Sequence, residues 1–380
     1  MNTSDDTSNP FRPTFGVPPA FWVGRAATTE AFRNALRSGP GAFSRSMLIS
    51  GMRGIGKTVL LNELEDIAAE LGWARLRATG RSNLVKELVE TSIPRAVQEG
   101  GEATRRRINS IGISGVGSLG FSDEAPQGYK PTLATQLREL AESYRETGVL
   151  LTVDEVQDAR VEDLTELAVA YQDVVRDELN IAIVMAGLPQ GVNALLNLPG
   201  ATFLRRAHLQ LLGSFSAENT VVAFHSTAEG SGIELSDAAV RRAVEISRGY
   251  PFLVQLVGYL SWNRARQRGA TLVESKDIEA IAQEAISVMG VQVHAPAVHG
   301  ISPTQREFLE VMAAVVDGTE ACPIGEVAQA LDKPVKSISD TRHRLIQTDL
   351  IEPAGYGKVA FTVPYLADYL RATDRLGRID

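Results

Sequence analysis

One cysteine, Cys322, stands among 380 residues, so no internal disulfide can brace this chain, and the scarcity fits a reducing cytoplasm. Next to Pro323, Cys322 itself reads as a small buried hydrophobe. Also missing is any apolar run near the eighteen or so residues that a membrane-spanning helix needs. The longest apolar stretches, such as Ile181 to Met185, have strand length. Residues 1 to 19 are polar and rich in Ser, Thr, Asp and Pro. They lack a basic start followed by an apolar stretch, which argues against a secretory signal or anchor and predicts a mobile tail over 1–17. Positive charge is not in excess: the net charge is −8, which gives no global attraction to nucleic acid or membrane but leaves room for a local basic face. His294 and His299 have no Cys or acidic companions and make a poor metal site.

What is present points to a packed protein of two or three domains, given 380 residues and 44% hydrophobic content. Residues 51 to 58 read Gly-Met-Arg-Gly-Ile-Gly-Lys-Thr. This G-x-x-x-x-G-K-T pattern makes a cradle in which successive backbone N–H groups curl around phosphates, Lys57 reaches the outer phosphate oxygens and the Thr58 hydroxyl ligates Mg²⁺. An apolar strand, Ser46 to Ser50, precedes it, and Val59 to Leu71 follows with helical spacing. The loop thus lies at a helix N-terminus, where unpaired N–H groups favour an anion. The nucleotide contacts expected from it are Gly51, Met52, Arg53, Gly54, Ile55, Gly56, Lys57, Thr58 and Val59.

A second signature is Val149 to Glu155, an apolar run closing in two acids. It predicts a central strand whose C-terminal end carries Asp154 and Glu155 to the sheet edge, where open α/β sheets bind ligands. Asp154 would join Thr58 in holding Mg²⁺, and Glu155 would orient an attacking water. Further strands are expected at Trp73 to Arg77 and Ile181 to Gly187, with helices at 83–98 (interrupted by Pro94), 132–146 and 162–178. Strands alternating with helices imply an α/β fold, a mainly parallel sheet covered on both faces. Within residues 102 to 129, Arg105-Arg106-Arg107 precede a stretch from Ile108 to Phe121 that is rich in Gly and Ser, and the whole segment reads as an inserted β-ribbon or a flexible loop.

From Ser216 onward helices dominate, at 217–229, 236–247, 252–267 and 275–289, as in a helical lid. Residues 291–300 read as a linker. Three helices follow (304–316, 323–331 and 337–350), with Ile338, Thr341, Leu345 and Ile346 on the buried side of the third. A hairpin closes the series, with a turn at Gly355 to Lys358. That order describes a winged helix-turn-helix. Arg342, His343 and Arg344 on the third helix, with Lys358 in the wing, would meet duplex DNA. Residues 301–380 hold nine Lys or Arg against twelve Asp or Glu, and winged helices also dock proteins, so both partners stay open.

On Phe21 to Arg25, the phosphate loop, Leu150 to Glu155, Ala186-Gly187-Leu188-Pro189 and Gly249-Tyr250-Pro251, the chain resembles P-loop ATPases of the AAA+ and STAND type, of the initiator-like, origin-recognition-related kind found in bacterial regulators. The resemblance covers about residues 18 to 370. It implies ATP and Mg²⁺ as cofactors and a nucleotide-dependent molecular switch, and the lack of a polar side chain at Ala186-Gly187 points to slow ATP hydrolysis. It places Val23, Gly24 and Arg25 near the adenine, the 183–189 strand end at sensor 1, and Pro251 at the Gly-x-Pro of STAND switches. It puts Arg206 where relatives carry an arginine finger for a neighbouring subunit, which implies an ATP-dependent homo-oligomer. Absence of Asn-Lys-x-Asp after the sheet agrees with adenine over guanine. Two departures stand out: Tyr250-Pro251 replaces a sensor-2 Arg, and Ala186-Gly187 lacks a polar sensor-1 side chain. The expected domains are a tail at 1–17, the ATPase core at 18–213, the lid at 214–290, the linker, the winged helix at 301–372 and a tail at 373–380.

Overall fold

Alternate residues of the apolar runs Ser46–Gly51, Val149–Asp154 and Ile181–Gly187 enter two different cores. Leu48, Val149, Leu151, Val153, Ile181, Ile183 and Met185 pack on one side, and Met47, Ile49, Leu150, Ala182, Val184 and Ala186 on the other. A strand with both faces buried reads as a continuous apolar run, because the period-2 alternation then points into protein in both directions. The computed structural model describes residues 8–14, 24–99, 132–198, 202–316 and 321–377. Val23, the 102–129 insertion with its three arginines, and the outer parts of both expected tails lie outside the described residues.

The chain divides into two units. One comprises Arg25–Gly51 and Lys57–Leu212. Its elements are α1 (Ala26–Arg37), β1 (Ser46–Gly51), α2 (Lys57–Glu70) and β2 (Ala74–Thr79), then α3 (Leu84–Glu87), which runs through a π turn over Leu88–Ser92 into α4 (Ile93–Glu99). The π turn sits where Pro94 cannot donate to the helix, so the ladder widens as the expected interruption requires. Next come α5 (Leu133–Ser143), β3 (Val149–Asp154), α6 (Val161–Arg176), β4 (Ile181–Gly187), α7 (Pro189–Leu196) and β5 (His208–Leu212). Thr132 caps α5 by accepting the Thr135 N–H.

All five strands are parallel, in the order β2-β3-β4-β1-β5. Helices α1 and α2 supply Phe32, Leu60, Leu64 and Ile67 to one face, while α3 to α7 cover the other. Expectation and structure differ at β5, an unforeseen edge strand paired with β1 from Met47↔His208 to Gly51↔Leu212. Its outward residues Leu209 and Leu211 are exposed.

The other unit comprises Met1–Gly24, Met52–Gly56 and Gly213–Asp380. Helices α8 (Ala217–Ala228), α9 (Asp237–Ser247), α10 (Pro251–Gln267) and α11 (Ser275–Met289) form its first part, with the two-residue strands β6 (Glu234–Leu235) and β7 (Leu272–Val273) paired in parallel. Ser216 and Ser236 cap α8 and α9. Trp262 is fully buried and donates to Ser231 Oγ at 3.0 Å. Residues 8–14 depart from the expected tail. Phe11 is 1% exposed, set against Gly258 of α10, where a Cβ would lie 2.2 Å from the ring, and Asn9 Nδ2 donates to the Tyr259 carbonyl at 2.9 Å.

The expected linker is also mostly helical. A π turn over Gly290–His294 leads into α12 (Ala295–Val298), and His294 is buried beside Tyr369. Then follow α13 (Pro303–Val315) with a Ser302 and Gln305 capping box, β8 (Cys322–Pro323), α14 (Ile324–Ala330), α15 (Ser339–Gln347), β9 (Ile351–Pro353), β10 (Lys358–Phe361) and α16 (Leu366–Gly377). The last three strands form an antiparallel sheet in the order β8-β10-β9. Phe308, Leu309, Met312, Cys322, Ile338, Leu345 and Leu370 share one core. Of the residues expected on the buried side of α15, Ile338 and Leu345 are buried and Thr341 and Ile346 are only partly covered. Among the described residues no helix is long and apolar enough to cross a membrane.

Candidate functional site

Lys57 and Thr58 open α2 directly after the loop, and Asp154 ends β3. The parallel sheet carries both to the edge formed by strand C-termini. Thr58 Oγ1 donates to Asp154 Oδ2 at 2.6 Å, and the Glu155 N–H donates to Asp154 Oδ1 at 2.9 Å. Burial raises the Asp154 pKa above the ordinary carboxylate value, and the Thr58 hydrogen bond partly offsets this. A half-buried carboxylate beside a hydroxyl is the donor set a hard divalent cation takes. Lys57 is 5% exposed.

Glu155 takes φ 53° and ψ 47°, the left-handed region that residues other than glycine seldom enter. The β2 end holds it there: the Gly80 N–H donates to the Asp154 carbonyl at 2.7 Å, and a Cβ on Gly80 would lie 2.0 Å from the Glu155 carbonyl oxygen. Beyond Glu155, the side chain of Gln157 reaches both the Glu155 carboxylate and the Leu188 N–H after β4. Reading the sequence stopped the motif at Glu155 and passed over Gln157. Gly187 and Gly191, four residues apart, were its available signal.

Met52 to Gly56 group with the other unit. Gly54 and Gly56 have φ of 69° and 89°, left-handed values that let the loop curl. The Tyr250 hydroxyl donates to the Arg53 carbonyl, and a Cβ on Gly54 would lie 2.7 Å from that hydroxyl oxygen. In a planar trans peptide, a carbonyl turned toward Tyr250 turns the next N–H, that of Gly54, the opposite way. Ile55 is buried. Pro251 is the first residue of α10, where its missing N–H costs no hydrogen bond. Gly24 has φ 72° and lies close to the Asn219 side chain.

Arg25 flanks α1 at 7% exposure, and burial lowers its pKa to about 10. Gly51 ends β1 and Val59 continues α2, half-buried. Arg206 is exposed just before β5. Because β5 is parallel to β1 and pairs from Met47↔His208, Arg206 lies at the N-terminal sheet edge, roughly 17 Å of strand from the edge that carries Asp154. The fold does not bring it to its own chain's Lys57, Thr58 and Asp154. In the C-terminal part, His343 and Arg344 are exposed, Arg342 is half-buried and Lys358 opens β10 at the surface.

Comparison with known proteins agrees with this geometry. Residues 22–184 match the family described as AAA ATPase domain, and residues 291–370 match a domain of unknown function, DUF8462. No curated protein matches. A Walker-type ATPase of Pyrococcus abyssi superposes with a TM-score of 0.61 at 16% identity, covering 92% of this chain and 96% of that one. The ORC2 protein of Aeropyrum pernix, in its ADPNP-ADP complexes, does so with a TM-score of 0.63 at 16% identity, covering 97% and 98%. At such identities the likeness establishes fold. Residues 22–184 are an AAA ATPase domain, and the chain has the fold of the origin-recognition-like AAA+ ATPases.

Proposed function

We propose that the protein is an ATP-dependent molecular switch that hydrolyses ATP slowly, the nucleotide state selecting the conformation of its helical and C-terminal parts. The observation that carries this reading is the Thr58 to Asp154 hydrogen bond at 2.6 Å. It joins the hydroxyl and the carboxylate that would share Mg²⁺, and the raised pKa of Asp154 marks a carboxylate that a cation would relieve. Mg²⁺, when bound, neutralises charge developing on the phosphates. Lys57 and the amides of Gly54 and Gly56 hold the phosphate chain, with Arg25, Gly24 and Pro251 assigned to the nucleoside end by resemblance. Water adds at the γ-phosphorus, the bond to the β,γ-bridging oxygen breaks, and the water proton passes to Glu155; the products are ADP and phosphate. Arg206, exposed on its own chain, would serve a neighbour's nucleotide in an ATP-dependent homo-oligomer.

Calorimetry and single-turnover assays on the full chain test this. Lys57→Ala is expected to weaken ATP binding roughly ten- to a hundredfold, the worth of a lost charge-assisted contact. Glu155→Gln should bind ATP like the parent and hydrolyse it about a hundredfold more slowly or worse. ATP affinity unchanged in Lys57→Ala refutes the reading.

A second reading rests on the exposure of His343, Arg344 and Lys358. The order of α13, α14, α15 and the β9–β10 hairpin supports a winged helix that contacts duplex DNA. Phosphate contacts release counterions, so log affinity must fall with log salt, by about 0.9 per neutralised phosphate. Absence of binding at low salt with ATP present excludes DNA and leaves protein docking.

A further inference from the structure

Gln157 follows Glu155 by two residues, in the 3₁₀ turn Val156–Asp158. Its Nε2 donates to Glu155 Oε2 at 2.5 Å, and its Oε1 accepts the Leu188 N–H at 3.0 Å. One neutral amide therefore ties the carboxylate to the C-terminal end of β4. That strand end is where the resemblance places a polar phosphate-reading residue, and this chain has Ala186-Gly187 there instead. The glycines around it keep the space for the glutamine. A Cβ on Gly187 would lie 2.8 Å from Gln157 Oε1 and 2.5 Å from Val156 Cγ2, and one on Gly191 would lie 2.7 Å from Gln157 Cβ and 2.9 Å from its backbone nitrogen. Any larger residue at either position would displace the bridge.

We infer that Gln157 is a positioning residue for ATP hydrolysis, occupying from the turn after β3 the place that a polar side chain on β4 would otherwise take. It engages Glu155 Oε2 and so fixes the rotamer in which Oε1 meets the water. Both ends of the amide are needed: the donor end orients the carboxylate, and the acceptor end anchors that orientation to β4. Glutamate at 157 keeps the acceptor and lacks the donor; methionine has the length and neither. The inference rests on the base role of Glu155 proposed above.

The test uses the full chain with Gln157→Met, Gln157→Glu and Glu155→Gln, reading ATP affinity by calorimetry and hydrolysis by single turnover with Mg²⁺. Both Gln157 variants are expected to bind ATP within about twofold of the parent and to lose roughly ten- to a hundredfold in rate, the usual penalty for a misoriented group. If Gln157→Glu hydrolyses like the parent while Gln157→Met does not, anchoring of Leu188 is all that matters and the positioning role falls. Affinity falling in step with rate in both variants assigns Gln157 to the scaffold and overturns it as well. If Glu155→Gln is slow and both Gln157 variants match the parent, this inference alone is wrong. If Glu155→Gln itself matches the parent, the base assignment fails and takes this inference with it.

Discussion

Asp154 and His294 are both ionisable groups held where water reaches poorly, and their surroundings make opposite use of that. Asp154 keeps a hydroxyl on one oxygen and an amide on the other, and these hydrogen bonds partly offset the burial that raises its pKa. His294 is 1% exposed, against the Tyr369 ring and the Pro364 backbone, and burial lowers its pKa from the ordinary value to about 4. Folding therefore keeps it neutral, while the unfolded chain takes up a proton below about pH 6.5. The unfolded state binds more protons between those values, so stability is unaffected above about pH 6.5 and is lost as pH falls toward 4. Urea melts at pH 7 and pH 5 should show the parent losing about 1–2 kcal/mol more than His294→Leu over that interval. Equal losses would mean that the imidazole stays protonated in the fold.

At the scale of elements, local pattern and tertiary demand agree in most places. The helix Ser275–Met289 has the bounds its periodicity gives, and β3 and β4 fall on the expected apolar runs. β5 escaped because an edge strand buries little: Leu209 is 43% and Leu211 68% exposed, so no continuous apolar run marks it. The segment 8–14 escaped for a different reason. Its composition is that of a loose tail, and one side chain, Phe11, seated against Gly258 and 6.2 Å from the Phe224 ring, fixes it to α10. Phe11→Ala is expected to destabilise the protein by about 3 kcal/mol, the range for removing a buried phenyl, read as a lower urea midpoint. A midpoint within error of the parent would show that the segment contributes no stability.

Across the whole molecule, sequence by itself determined the Gly-rich loop ahead of α2, the strand that ends in Asp154, the parallel α/β character of the first unit and the helical character of the second. These are short-range properties: backbone that only glycine adopts easily, a cap three residues from its amide, apolar spacing of one period or another. Tertiary structure alone decided that Gln157 meets Leu188, that the Tyr250 hydroxyl meets the Arg53 carbonyl, and that Arg206 stands at the sheet edge opposite Asp154. Each of these depends on strand order, register or a contact across 31 to 197 positions of chain. No local preference encodes such a distance. It is set by which faces must be buried together, and that is known only once the whole core has closed.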